Sequence, residues 1–341
     1  MTRECPPGKV AGVGMMVTVD PFAQPGAAAA WLRAFMADAW ATVRAAWPAS
    51  PGDPDAEALL DFRRRVGVRW QDDLGALAIV LADALATDSA TLARPPVLAI
   101  AGPQGTGKST LAAHLVAWGG MRGERLAVLG LDDLYLPQAD RHALADRVHP
   151  LLRTRGVPGT HNPRLGERLL DALTLGDDDS VRLPVFDKGL DDRLPVARWH
   201  AQPLPVDAVI VEGWCLGLPP QAEADLVAAV NALEAVEDAE GDWRQFVNER
   251  LRHEYARFFA RFDRLLVLLP PDFDAVLRWR TQQEQALPPA QRMDAAALRR
   301  FVAHYERLTR HGLRAWPALA DWCVTLAPDH RIAGIAPGGE A

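Results

Sequence analysis

The sequence predicts an α/β fold, a mostly parallel sheet flanked by helices, on three observations. Short runs of continuous hydrophobicity recur at Val97–Ala101, Leu126–Leu131, Ala208–Val211 and Leu265–Leu269. Stretches with apolar residues at helical spacing separate most of them. A glycine-rich loop follows the first run at once and opens a helical stretch, Leu111–Trp118. Unbroken apolar runs, as opposed to alternation, are the pattern of strands buried on both faces, and hence of a parallel sheet covered on both sides. A last run, Trp322–Leu326, is expected to add an edge strand.

Around this core the 341 residues divide unevenly. Residues 1–25 are rich in Gly and Pro and are expected to be disordered. Residues 26–95 read as a helical N-terminal extension. It comprises amphipathic patterns over Ala27–Trp47 and Asp55–Leu85, joined by the turn-rich Pro48–Pro54 and followed by the polar stretch Thr87–Pro96. Residues 96–335 form the main domain and 336–341 a tail. The acidic stretch Glu234–Asp242 reads as a solvated helix face and loop. Val10–Val19, behind Arg3 and Lys9, is long enough for a signal-peptide core, but glycines interrupt it, and Met15 or Met16 would serve as an initiator.

Bulk properties exclude several function classes. A net charge of -7 argues against a general nucleic-acid or membrane-surface binder, and no apolar stretch has the length to cross a bilayer. Cys5, Cys215 and Cys323 lie far apart with no metal-ligand spacing, which points to free thiols in a reducing cytoplasm. Among 37 basic residues only Lys9, Lys108 and Lys188 are lysines. A lysine inside a motif is therefore informative here, because a compact ammonium and a guanidinium fork do different work.

Gly102-Pro103-Gln104-Gly105-Thr106-Gly107-Lys108-Ser109 matches G-x-x-x-x-G-K-[ST] and is followed by Thr110. Glycines let the backbone wrap phosphate oxygens, and successive N–H groups point inward as an anion nest. The start of the following helix adds the positive end of its dipole. Lys108 would reach the β- and γ-phosphates of ATP, and the Ser109 hydroxyl would ligate Mg²⁺. The expectation sharpens to a P-loop NTPase fold with residues 102–110 as the nucleotide site.

Magnesium needs further oxygen ligands, and an acceptor hydroxyl needs a base. Carboxylates just past neighbouring strands would supply both, since ligands of open α/β sheets bind at the carboxyl ends. Asp132 and Asp133 end the second run, and Glu212 ends the third. Asp132 is the expected base, Asp133 a cap or supporting group, and Glu212 the expected metal ligand.

Gly102–Ser109, Leu131-Asp132-Asp133-Leu134-Tyr135 and Glu212-Gly213-Trp214 together resemble the uridine kinase, phosphoribulokinase and pantothenate kinase superfamily. The resemblance implies a base at Asp132, magnesium support from Glu212 and an acceptor contact at Tyr135. Arg155–His161, Phe186–Lys188, Val211–Gly217 and Leu277–Glu284 narrow it to the D-glycerate 3-kinase family, over roughly residues 95–335. The family motif ends in Gly-Asp-Arg, whereas this chain has a shortened loop with Asp191 where the glycine would stand.

A carboxylate-bearing acceptor would need cations. Lys188, Arg193, Arg155 and His161 are the candidates, all in Gly- or Pro-flanked segments between core strands. Arg278 and Arg280 lie on a predicted helix after the fourth strand, where a helical lid would neutralise charge on the transferred phosphoryl group. Residues two apart do not share a helix face, so one of the pair is expected to point at phosphate. The implied activity is ATP-dependent phosphorylation of a small hydroxyl-bearing molecule, D-glycerate by resemblance. Another acceptor (a nucleoside, pantothenate or a sugar) and a non-catalytic ATP-binding regulator stand as alternatives.

Overall fold

The computed structural model describes residues 72–286 and 292–339. The expected disordered start, the Ala27–Trp47 helix and the Pro48–Pro54 turn lie outside the described residues. Helix α1 (Asp72–Leu92) leads into β1 (Val97–Ala101), α2 (Lys108–Met121), β2 (Leu126–Gly130), α3 (Gln138–Arg147) and α4 (Pro163–Leu175). An antiparallel excursion follows, in which β3 (Ser180–Leu183) pairs with β6 (His200–Pro203) around a short hairpin, β4 (Phe186–Asp187) and β5 (Asp192–Arg193). The chain re-enters the sheet as β7 (Ala208–Gly213) and continues through α5 (Ala232–Glu237) and α6 (Asp242–Arg250). A π-helical turn, Leu251–Tyr255, joins α6 to α7 (Ala256–Phe259). Strand β8 (Arg264–Leu269), helices α8 (Phe273–Ala286) and α9 (Ala295–Leu319), and strands β9 (Trp322–Leu326) and β10 (Ile332–Pro337) complete the fold.

The six-stranded sheet has the order β10-β9-β8-β1-β7-β2, and only β10 runs antiparallel. The two-residue period of a strand sends alternate side chains to opposite layers. Val97, Ala99, Val209, Val211 and Val267 face one core with Leu169, Phe258 and Trp316. Leu98, Ile100, Ile210, Leu266 and Leu268 face the other with Leu111, Leu115 and Trp279. The second core also takes Leu74, Leu77, Leu81 and Leu85 from α1, so this part of the expected N-terminal extension covers the sheet itself.

Four expectations need correction. Helix α1 runs through Leu92, into the stretch read as a polar linker. The Thr87 and Thr91 hydroxyls donate to the carbonyls one turn back, and Asp88 pairs with Arg264 at 2.7 Å, which accounts for the polarity of that turn. Strand β9 is not an edge, because β10 pairs outside it. β10 runs to Pro337, inside the stretch read as a tail. Finally, Glu234–Asp242 is only in part a solvated face: Glu237, Glu240 and Asp242 are exposed, but Glu234 is fully buried and Asp238 is 2 % exposed. Arg307 binds Glu234 at 2.6 Å and Arg244 binds Asp238 at 3.0 Å, each buried charge being matched by a fork of donors.

Arg141 ties the α3 region to the β4–β5 hairpin. Its fully buried guanidinium donates to the carbonyls of Leu136, Arg153 and Asp191, and lies 2.9 Å from Asp191 Oδ2. Removing it would strand three carbonyls and leave the Asp191 carboxylate to Arg155 alone. Arg141→Met is expected to cost about 3–5 kcal/mol of stability, measured by denaturant unfolding.

Candidate active site

Register brings the predicted carboxylates and the loop together. Glu212 stands level with Ile100 of β1 and Gly130 of β2, on the strand between them. The glycine-rich loop leaves β1 one residue after Ala101, and Asp132 follows β2 by two residues. A cleft of about 1480 Å³ opens over these strand ends.

The loop has the backbone its function needs. Gly102 has φ 148°, and a Cβ there would lie 2.6 Å from the Leu268 carbonyl oxygen. Gly105 has φ 85°, with Trp279 Cβ 2.8 Å from where its own Cβ would stand. Gln104, Gly105, Lys108 and Ser109 line the cleft. Gly102, Pro103, Gly107 and Thr110 do not line it; the first three shape the turn. The Thr106 side chain is 1 % exposed and donates to the Pro103 carbonyl at 2.9 Å, so it pins the loop and leaves contact with phosphate to its backbone.

Lys108 Nζ donates to the same Pro103 carbonyl at 2.9 Å. Burial lowers the lysine pKa, against the fields of Glu212 and Asp132. A half-buried cation that lines the cleft beside the loop backbone is poised for an anion. The Ser109 hydroxyl donates to Glu212 Oε1 at 3.1 Å, which sets two oxygen ligands side by side. Among the described residues no group of three or more His, Cys, Asp or Glu side chains could hold a metal. The Ser109–Glu212 pair fits magnesium, which binds through few protein ligands plus phosphate oxygens and water.

Asp132 and Asp133 have different partners. Lys188 Nζ lies 2.7 Å from Asp132 Oδ2. Burial would raise the Asp132 pKa, but Lys188, His161 and Lys108 outweigh it and hold the carboxyl below its usual value. Asp133 accepts the Phe186 N–H at 3.0 Å and so fixes the β4–β5 hairpin; burial raises its pKa.

The other predicted residues separate into those that reach the cleft and those that do not. Tyr135, Arg155, Lys188 and Arg280 line it. Arg280 pairs with Glu284 at 2.7 Å and lies over the Phe301 ring. Arg278 is outside the lining and 53 % exposed, 3.7 Å from Asp272, because two residues rotate a helix by more than half a turn. Arg193 is also outside, with its guanidinium over the Trp199 ring. Asp191, at φ 52°, turns the chain so that its own carboxylate enters instead. There it pairs with Arg141 and Arg155, which hold it ionised despite partial burial.

His161, expected as an acceptor ligand, is buried and does not line the cleft. It stacks on Tyr135 at 4.3 Å, and its Nδ1 lies 2.6 Å from the Tyr255 hydroxyl. Burial brings its pKa down from 6.5 to about 3, only partly opposed by Asp132. The unfolded chain therefore takes up a proton near pH 6.5 that the folded chain refuses until about pH 3. Its contribution is complete above the unfolded pKa and is lost as pH falls below it, by about 2 kcal/mol at about pH 5. The thermal midpoint should drop between about pH 7 and about pH 5, ahead of most carboxylates. His161→Phe should flatten that slope in part, with His114, brought to about 4 by burial, and His304, His311 and His330, lowered by burial as well, keeping the rest.

The sequence reading gave no site role to several residues whose partners lie far away. Trp214 donates to the Gly156 carbonyl at 3.0 Å. The Tyr305 hydroxyl from α9 would lie 2.5 Å from a Cβ on Gly156, and donates to the Arg155 carbonyl at 3.4 Å. Arg153, Gln283 and Arg300 line the outer cleft.

No family model matches the chain. It is 35% identical over 221 residues to the uncharacterized kinase mug58 of Schizosaccharomyces pombe, covering 62% of this chain and 79% of that protein. It is 30% identical over 202 residues to the chloroplastic D-glycerate 3-kinase of Arabidopsis thaliana, covering 57% of this chain and 42% of that one. The chain belongs to the D-glycerate 3-kinase family. A solved D-glycerate 3-kinase from Cryptococcus neoformans superposes with a TM-score of 0.60 at 22% identity, over 92% of this chain and all of that one, which shows the shared P-loop kinase fold. Membership makes the chain an ATP-using phosphotransferase. No helix among the described residues is long and apolar enough to cross a membrane.

Proposed function

We propose that the cleft transfers the γ-phosphoryl group of ATP to the 3-hydroxyl of D-glycerate. The observation that carries this reading is the pairing of Lys188 with Asp132, which sets an exposed cation against a strand-end carboxylate facing the phosphate loop. A hydroxy acid needs these two groups together, a cation for its carboxylate and a proton acceptor for its hydroxyl.

The loop N–H groups and Lys108 would hold the triphosphate and take up the charge that builds on the leaving ADP. Ser109 and Glu212 would hold magnesium, which supplies further charge neutralisation on the phosphates when bound. Asp132 would receive the hydroxyl proton as the acceptor oxygen attacks. Arg280, on α8, faces the cleft where a lid would meet the transferred group. The chain spans less than half of the Arabidopsis enzyme's length, so acceptor identity rests on this site.

Asp191 favours a second acceptor class. Its carboxylate already occupies Arg155, which leaves less net positive charge for an anion and suits a neutral nucleoside or sugar. A coupled ADP-release assay across D-glycerate, pantothenate, nucleosides and sugars separates the two. D-glycerate should give the highest kcat/KM; a neutral acceptor leading the panel would replace it.

A further inference from the structure

The cleft holds two cations suited to an acceptor anion, and their present partners differ in kind. Arg155 is held by Asp191, which buried Arg141 fixes in turn. Lys188 is held by Asp132, the base itself. The hairpin that carries Lys188 is anchored at its foot. Asp133 accepts the Phe186 N–H at 3.0 Å and Asp192 accepts the Gln138 N–H at 2.9 Å, while at the turn Asp187 accepts the N–H groups of Gly189 and Leu190 at 2.8 and 3.0 Å. Beyond that rigid foot the Lys188 side chain is 64% exposed, long and rotatable, so the ammonium can move while its backbone stays.

We propose that Lys188 is an acceptor-dependent switch on the base. With the acceptor site empty it sits on the Asp132 carboxylate; when an acceptor binds, it passes to the acceptor's anionic group and leaves Asp132 facing the hydroxyl. This rests on the phosphoryl-transfer reading and adds its control.

With acceptor bound, a bond forms between its hydroxyl oxygen and the γ-phosphorus. The bond from that phosphorus to the β,γ-bridging oxygen breaks, the electron pair leaves on ADP, and the hydroxyl proton goes to Asp132. Water in the same place would undergo the same changes, giving ADP and inorganic phosphate. A Lys188 ammonium on Asp132 withholds the proton acceptor from that water, so ATP is spared until the acceptor arrives. Exposed ion pairs are weak, typically under about 1 kcal/mol, so an incoming carboxylate can compete for the ammonium.

The test is phosphate release from ATP with Mg²⁺ by the full chain without acceptor, beside ADP release with D-glycerate. Lys188→Met should raise acceptor-independent hydrolysis several-fold, up to about 5-fold, the occupancy that a pair worth about 1 kcal/mol withholds. The same variant should raise acceptor KM and leave the thermal midpoint unchanged. Adding Asp132→Asn to it should return hydrolysis to the wild-type level. Unchanged or lower hydrolysis in Lys188→Met, with only KM raised, would make Lys188 a plain acceptor ligand and overturn the switch. A leak that survives Asp132→Asn does not run through the base and would overturn it equally. If the wild-type chain turned over no acceptor of the panel and no ATP, the phosphotransferase reading and the switch would fall together, a result distinct from either.

Discussion

Lys108→Ala should lower ATP-dependent phosphorylation by about 10³-fold or more while the protein stays folded. The loop presents one ammonium to the phosphates, and no neighbouring arginine on the loop could replace it. Stability should not suffer, because burial already disfavours the charged lysine, as its lowered pKa records. Its one hydrogen bond in the loop, to the Pro103 carbonyl, duplicates the one from Thr106. Steady-state kinetics beside a thermal melt check both halves. Turnover near wild type would remove Lys108 from the chemistry, and loss of the melt would make it structural.

Asp132→Asn should separate chemistry from binding. Its amide keeps the shape of the carboxylate but cannot accept a proton, so kcat should fall by about 10²- to 10⁴-fold. ATP affinity should hardly change, because the loop, Lys108 and the Ser109–Glu212 pair remain. Calorimetric titration of Mg-ATP into the variant measures the second quantity. Equal losses in kcat and affinity would mean that Asp132 holds the metal or the local structure.

Legibility in the sequence followed distance along the chain. The phosphate loop could be read because its eight residues are contiguous and each has a separable reason. The strand-end carboxylates could be read because a buried parallel strand is a local apolar run and its end is a place. Strand β10 escaped because Ile332–Pro337 mixes Gly and Pro with apolar residues and gains its identity from pairing with β9. Glu234 looked solvated because Arg307, which neutralises it, lies 73 residues away. Asp191 displaced Arg193 from the cleft through a backbone turn at φ 52° and a buried arginine 50 residues earlier. The Tyr305–Arg155 contact spans 150 residues, and nothing local announces it. What the sequence could do for the lid was geometric: two arginines two apart cannot share a face, and it is Arg280 that turns inward.

The central claim, that this cleft moves phosphate from ATP to the 3-hydroxyl of D-glycerate, is tested most directly by phosphorus NMR. Purified chain, Mg²⁺, ATP and D-glycerate should yield ADP and 3-phosphoglycerate in equal amounts. ADP accompanied only by inorganic phosphate, or a phosphate ester on the 2-hydroxyl, would contradict it.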